Sequence, residues 1–395
     1  MEGVYVPSLY TITYKRDGSI KDFLIKKDIS RKIRRRWIKD LNTNPCYSLF
    51  VTPYTIYKEP TFSIEVTRGC GMHRRFCYMG YNLRKPRRLS IKRIVELIRK
   101  GAKLTKIIKL FFEALPRNYT KKLFSNLERL IYKLGIQFRV GSLRADLLTE
   151  QMVRVIAKGG QSYLAIAPEV AETKRPVINK KIMDAHIFRA VKLALKYGIP
   201  DIHLYLLIGI PTETKEDIIS LGNLIKKVRK QMHYANNEEG VLELHINPIY
   251  PKPHTPFQWA SMESIQTAKD KLNLINKILA NEKNIRIRTT INSKTVFSQP
   301  IISRGDRRIC KVIYLAYKGG NTLEAWQTAF QILGLDPNIY FHQKDIVEKL
   351  PWSFIDTCVN ESYLIIEWKR ANKSLLTNRC GDKNCKRCGV CIEVW

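Results

Sequence analysis

Long apolar runs are missing from this 395-residue chain; the best stretch, Leu204 to Ile210, is of strand length. A membrane span needs roughly 20 apolar residues, so no partner membrane is expected. The opening, Met1 to Tyr10, has neither a basic start nor a long apolar centre, so it does not read as a secretory signal. A soluble, cytoplasmic protein is expected. Acidic residues are the second scarcity: 35 Asp and Glu face 69 Lys and Arg, for a formal charge of +34. Lys-rich thermophile chains normally balance Lys with Glu, and this one does not. Such an excess favours association with a polyanion through counterion release, which makes nucleic acid the expected partner. Disulfide-forming context is the third absence, so the four of the nine cysteines that crowd the C-terminus point to a metal.

What is present centres on Thr61 to Gly80, TFSIEVTRGCGMHRRFCYMG. The alternating run from Phe62 to Val66 predicts a buried strand that discharges into a loop carrying Cys70 and Cys77. Arg74, between them, cannot ligate a metal, because a guanidinium is a permanent cation with no lone pair to offer. His73 beside it offers an imidazole, so a set of Cys70, His73 and Cys77 is one alternative. The other makes both cysteines small buried residues. Downstream, strands are expected at 107–112, 137–141, 163–167, 203–208 and 242–246. Helices are expected between them at 120–134, 150–158, 185–197 and 215–231, after a first helix that Ser90 caps and that runs to Lys100. Alternation of this kind predicts a parallel sheet with outer helices and functional loops at the carboxyl ends of its strands.

The order strand, Arg-Gly-Cys, then Arg-Phe-Cys resembles the cluster-binding loop of radical S-adenosylmethionine (radical SAM) enzymes. The stretches SLRADLLTE (142–150), AIAPEVAETKRPVINK (165–180), LYLLIGIPTETKEDI (204–218) and INPIYPKPHTPFQWASM (246–262) resemble strand-end signatures of one branch of that family. SRGDRRI (303–309) and the cysteine-rich tail look like the same branch, which is usually preceded by a cobalamin-binding domain. GVYVPSLY is similar to the segment just after that domain, so the resemblance implies a chain without it. The implied fold class is α/β: a radical SAM-type, partial TIM-like parallel β/α barrel over 61–300. An N-terminal basic extension over 1–60, a helical C-terminal region over 301–375 and a four-cysteine metal-binding tail over 376–395 surround it.

In that family a C-x3-C-x2-C motif holds three irons of a [4Fe–4S] cluster and S-adenosylmethionine takes the fourth. Cys70 and Cys77 match the outer positions, and Arg74 stands at the middle one. The resemblance places Glu113, Ser142, Arg144, Glu169 and Gly209 at cofactor-pocket positions, although the usual Gly-Gly-Glu context around Glu113 is absent. The same residues also read as architecture: Gly209 and Pro211 as a tight turn, Glu169 as a cap or a partner for a nearby Lys, and Arg144 as a partner for Asp146.

The tail spacing Cys380-x4-Cys385-x2-Cys388-x2-Cys391 supplies four thiolates for zinc or a [4Fe–4S] cluster in a structural role. Basic knots flank the cysteine loop. In the first, Arg31, Arg34, Arg35, Arg36 and Trp37 lie on an amphipathic helix or an extended arm; in the second, Arg84, Lys85, Arg87 and Arg88 surround the loop. Both suit RNA phosphates and stacking. The Pro-rich segment 248–256 reads as an extended loop whose aromatics either close the barrel or stack on a base, and His254 reads as a hydrogen-bonded loop residue. Two functions are implied. The chain is either an RNA-binding pseudoenzyme, associated with ribosomal RNA or the ribosome, with no catalytic residue; or it is an active radical SAM enzyme that modifies tRNA or rRNA by methyl or methylthio transfer.

Overall fold

Short β-branched runs alternate with amphipathic segments through the middle of the chain, and the computed structural model folds them as strand–helix units. It describes residues 3–26, 29–54, 59–235, 237–380 and 385–391. Parts of the expected N-terminal extension and of the tail therefore lie outside the described residues. The parallel strands are β1 (Thr61–Glu65), β2 (Ile107–Phe111), β3 (Gln137–Val140), β4 (Tyr163–Glu169), β5 (Asp201–Ile208), β6 (Leu242–Pro248) and β7 (Ile285–Thr289). The alternating helices are α1 (Ile91–Ala102), α2 (Arg117–Leu134), α3 (Glu150–Lys158), α4 (Asp184–Lys196), α5 (Lys215–Tyr234) and α6 (Ile265–Leu279).

Strands β1 to β3 form one hydrogen-bonded sheet and β4 to β7 another, both parallel and in chain order, and the bridge Leu143↔Ile166 joins them. The register pairs His203 with Glu243 and Tyr205 with His245, so these four side chains share a face. The opposite face carries Phe62, Ile64, Ile108, Leu110, Leu204, Leu206, Leu244 and Ile246, all buried in one core with apolar residues of the six helices. Helix ends follow local chemistry. The Ser90 hydroxyl accepts from the Arg93 amide at 3.2 Å, the Thr149 hydroxyl accepts from Met152, and Gly135 ends α2 in the left-handed region at φ +57°.

Strand β7 was not expected. Its sequence, IRIRT, has only two apolar side chains, because an edge strand buries one side alone. The arm 29–41 is not a helix: Ile33–Arg34 pairs in parallel with Ile355–Asp356, and a helix here would set arginines three and four residues apart. The Pro-rich segment closes the structure. Pro256–Trp259 forms a short 3-10 turn, and Phe257 and Trp259 are wholly buried in a second core with Tyr81, Trp368 and Cys388, not presented as stacking faces. A third core joins the helices Ser293–Arg304, Ile309–Lys318 and Leu323–Ile332.

Helix α1 presents Ile94, Leu97, Ile98 and Gly101 to the sheet. A methyl group on Gly101 would stand 2.6 Å from Phe62 Cγ. Alanine gains about 1 kcal/mol in helix propensity, but overpacking against a rigid core ring costs about 1–3 kcal/mol. Gly101→Ala is therefore expected to lower the urea midpoint, and a raised midpoint would show that the Phe62 contact yields.

Candidate functional site

The loop that follows β1 is fixed from behind. Gly69 takes φ +83° with its α-carbon against the Leu83 carbonyl, where no side chain fits. Arg75 is fully buried: its Nε lies 3.1 Å from Glu367, and its terminal nitrogens donate to the carbonyls of Pro176, Val177 and Leu375. The Thr377 hydroxyl donates to the other Glu367 oxygen at 2.6 Å. The Asn179 amide donates to the Met72 and His73 carbonyls and accepts from the Thr377 amide at 2.8 Å.

His73 belongs to this rear support. Its Nδ1 lies 2.5 Å from an Arg84 nitrogen and 2.6 Å from the Tyr363 hydroxyl, and burial with neighbouring guanidiniums holds the ring neutral, its pKa lowered to about 2. The ring is thus engaged by Arg84 and Tyr363 and not grouped with Cys70 and Cys77.

The front of the loop meets the ends of β2 and β4. The Arg74 guanidinium lies 3.9 Å from Glu169 Oε1, and the buried Lys180 ammonium sits 2.9 Å from the same oxygen. Burial pushes both the Cys70 and Cys77 thiols up, and Arg74 pulls each the other way. Burial likewise raises the Glu113 carboxyl against the pull of Arg74. A [4Fe–4S] cluster with an open iron takes three thiolates. This loop offers two, with the Arg74 guanidinium at the position between them. The residues present do not fit that cluster; they form a buried ion-pair group.

Of the other expected pocket residues, Ser142 is exposed, and Arg144 makes two bonds to Asp146, at 3.1 and 2.8 Å. Gly209 turns at φ +79°, and its amide donates to Glu213 at 2.7 Å. Glu169 pairs with Lys180 from a positive φ of 67°. Each of these three therefore has an architectural role of the kind its alternative reading named.

The tail returns to the same loop. The Cys380 amide donates to the Gly71 carbonyl at 2.8 Å, Cys388 is buried, and Arg387 donates to the Cys385 sulfur at 3.2 Å. Burial raises the Cys380 and Cys391 thiols. Among the described residues, the group whose ligand atoms lie within 4.8 Å of one another is His203, Glu243 and His245, not the tail cysteines. Sequence reasoning missed that trio. Its signal was present: polar residues at alternate positions of HLY and ELH, which a reading of continuous buried runs passes over.

The basic knots divide. Arg84 and Arg87 are buried, and Arg35 is half-buried. Arg35 donates to the Asn82 and Arg84 carbonyls, Arg84 to Gly80, and Arg87 to Lys85, Ile38 and Leu83. Those three guanidiniums are engaged mainly with main-chain oxygens, Arg84 also with the His73 ring. Arg31, Arg34, Arg36 and Arg88 are exposed and Lys85 is half-buried. Trp37 sits under Arg87 at 4.5 Å and walls a cleft of about 580 Å³ with Arg36, Tyr78, His254 and Trp352. Nε2 of His254 is buried there without a hydrogen-bond partner, and burial lowers its pKa to about 4.

Lys180 makes the strand-end group sensitive to pH. Burial, with Arg74 adding to it, pushes its pKa from the ordinary 10.5 down to about 7, against the pull of Glu169. Between those values the unfolded chain binds the extra proton, so this residue makes stability climb as pH rises through the window. Lys180→Met should flatten that climb in urea unfolding series from neutral to alkaline pH; equal slopes in both proteins would refute a depressed lysine.

Comparison with known proteins finds similarity over the middle of the chain. An uncharacterized protein of Methanocaldococcus jannaschii is 34% identical over 284 residues, which is 69% of this chain, and the chain spans 60% of that relative's length. Spore photoproduct lyase complexed with dinucleoside spore photoproduct matches at a TM-score of 0.42 and 10% identity, over 62% of this chain and 80% of that one. Methylornithine synthase matches at a TM-score of 0.36 and 15% identity, over 57% and 70%. Residues 64–225 match the Radical SAM superfamily. The superfamily's chemistry uses S-adenosylmethionine and a [4Fe–4S] cluster. Residues 64–225 of this α/β chain with parallel sheets are thus similar to the radical SAM superfamily.

Proposed function

We propose that the chain is an RNA-binding protein on a radical SAM scaffold, with ribosomal RNA the expected partner, in which Arg74 takes the place of the middle cluster cysteine. The observation that carries the reading is the cleft between the arm and the loop. The exposed Tyr78 and the half-buried Trp37 line it beside the largely buried Trp352, Arg36 and Arg68 flank them, and the chain as a whole has a charge of +34. Stacking holds bases of any sequence, and cationic side chains hold the backbone. The tail cysteines serve this protein as a structural metal site, zinc or [4Fe–4S], drawn together when the ion binds and buttressing the loop through Cys380.

Two measurements test it. Affinity for structured RNA should fall steeply with salt. Replacing Arg34 and Arg36 with Gln should flatten the log–log slope by about 1–2, and Trp37→Ala should cost about 1–3 kcal/mol at fixed salt. Binding that ignores salt removes RNA from the account. After anaerobic reconstitution, metal content should drop in Cys385→Ala with Cys388→Ala and stay unchanged in Cys70→Ala. Iron lost with Cys70, together with 5′-deoxyadenosine formed on reduction, would instead establish the active-enzyme reading.

A further inference from the structure

We propose that His203, Glu243 and His245 form a binding site for a divalent transition-metal ion on the face of the sheet turned away from the helices. The inference stands apart from RNA binding. The site lies near the amino-terminal ends of β5 and β6, at the opposite end of the strands from Glu169 and Gly209. Register builds it: His203 faces Glu243 directly across the parallel pair, and His245 comes two residues on, on the same side. Glu243 Oε1 lies 3.0 Å from His245 Nε2 and 3.9 Å from His203 Nδ1, and the three ligand atoms fit within 4.8 Å. With bonds of about 2.1 Å, ligands around one ion stand about 3–3.5 Å apart, so small side-chain rotations close the set.

The surroundings hold each ligand in place. The His203 ring stacks on Tyr163 at 4.3 Å and 6°, and the His245 ring stacks on Tyr205 at 4.4 Å and 7°. Arg288 Nε binds the other carboxylate oxygen, Oε2, at 2.8 Å, with Arg286 at 3.6 Å, which leaves Oε1 turned to the imidazoles. Carboxylate ligands oriented by an outer hydrogen bond are the normal pattern of metal sites. A plain ion-pair cluster accounts for the arginines and Glu243. It accounts less well for His245 Nε2, which is buried and lies 3.0 Å from Glu243 Oε1 without the alignment of a hydrogen bond. Two imidazoles and one carboxylate suit zinc, cobalt, nickel or iron(II) and not calcium or magnesium. The nearby guanidiniums oppose a dication and set the affinity below that of an all-anionic site.

Cobalt(II) tests this on the full chain. In a Cys385→Ala, Cys388→Ala background, which removes tail thiolates, one cobalt should bind with visible d–d bands and no sulfur charge-transfer band in the near ultraviolet. Glu243→Gln should weaken it on the order of 100-fold or more, above the 10–100-fold typical of losing an outer partner. His203→Phe keeps the stack on Tyr163 and removes only the nitrogens, so it should weaken binding similarly while circular dichroism stays unchanged. Cobalt affinity and spectrum unaltered by both substitutions, or no cobalt bound in the background protein, would overturn the site.

Discussion

A crossover between neighbouring parallel strands is right-handed, so strands laid down in chain order carry all their crossover helices on one face. That constraint organises this molecule. The helix-covered face takes Leu204, Leu206, Leu244 and Ile246 into the main core. The other face is left to Tyr205, His203, His245 and the exposed Arg286 and Arg288, side chains that a two-sided core would not accept. The same ordering brings the loop after β1 and the ends of β2 and β4 to one edge, where Arg74, Glu113, Glu169 and Lys180 meet.

Where apolar periodicity was strong, the sequence was legible. Helix Glu150–Lys158 has the expected ends, and Ser90 caps α1, because local hydrogen bonds and one buried face decide both. Strand β7 was obscured because an edge strand shows little apolar patterning, and the arm because its pairing partner, Ile355–Asp356, lies far along the chain and adds backbone bonds that no local pattern announces. The loop thiols were found from their strand and spacing, and so was Arg74. The trio on the bare face was not, since it arises from the register between two strands. The orientation of His73 depended on Tyr363, some 290 residues later.

Arginine counts need the same care. A guanidinium presents five donors in a plane, so one side chain can satisfy several carbonyls of an irregular segment that has no ladder partner. Arg175 bonds the carbonyls of Val170 and Ile182 and the Asp184 carboxylate, and Arg304 bonds Ala260 and His342. Arg35, Arg84 and Arg87 do likewise around the cysteine loop. Part of the positive charge is therefore internal scaffolding, and the electrostatic reach of the protein depends on the exposed remainder.

The Arg75 node has a consequence for how the chain is made. Its acceptors include Leu375 and Glu367, and Thr377 completes the group. Synthesis proceeds from the amino end, and the sheet strands emerge long before those residues do. During translation the Arg75 guanidinium stays hydrated until those residues have been made, so this early loop can take up its final hydrogen bonds only late.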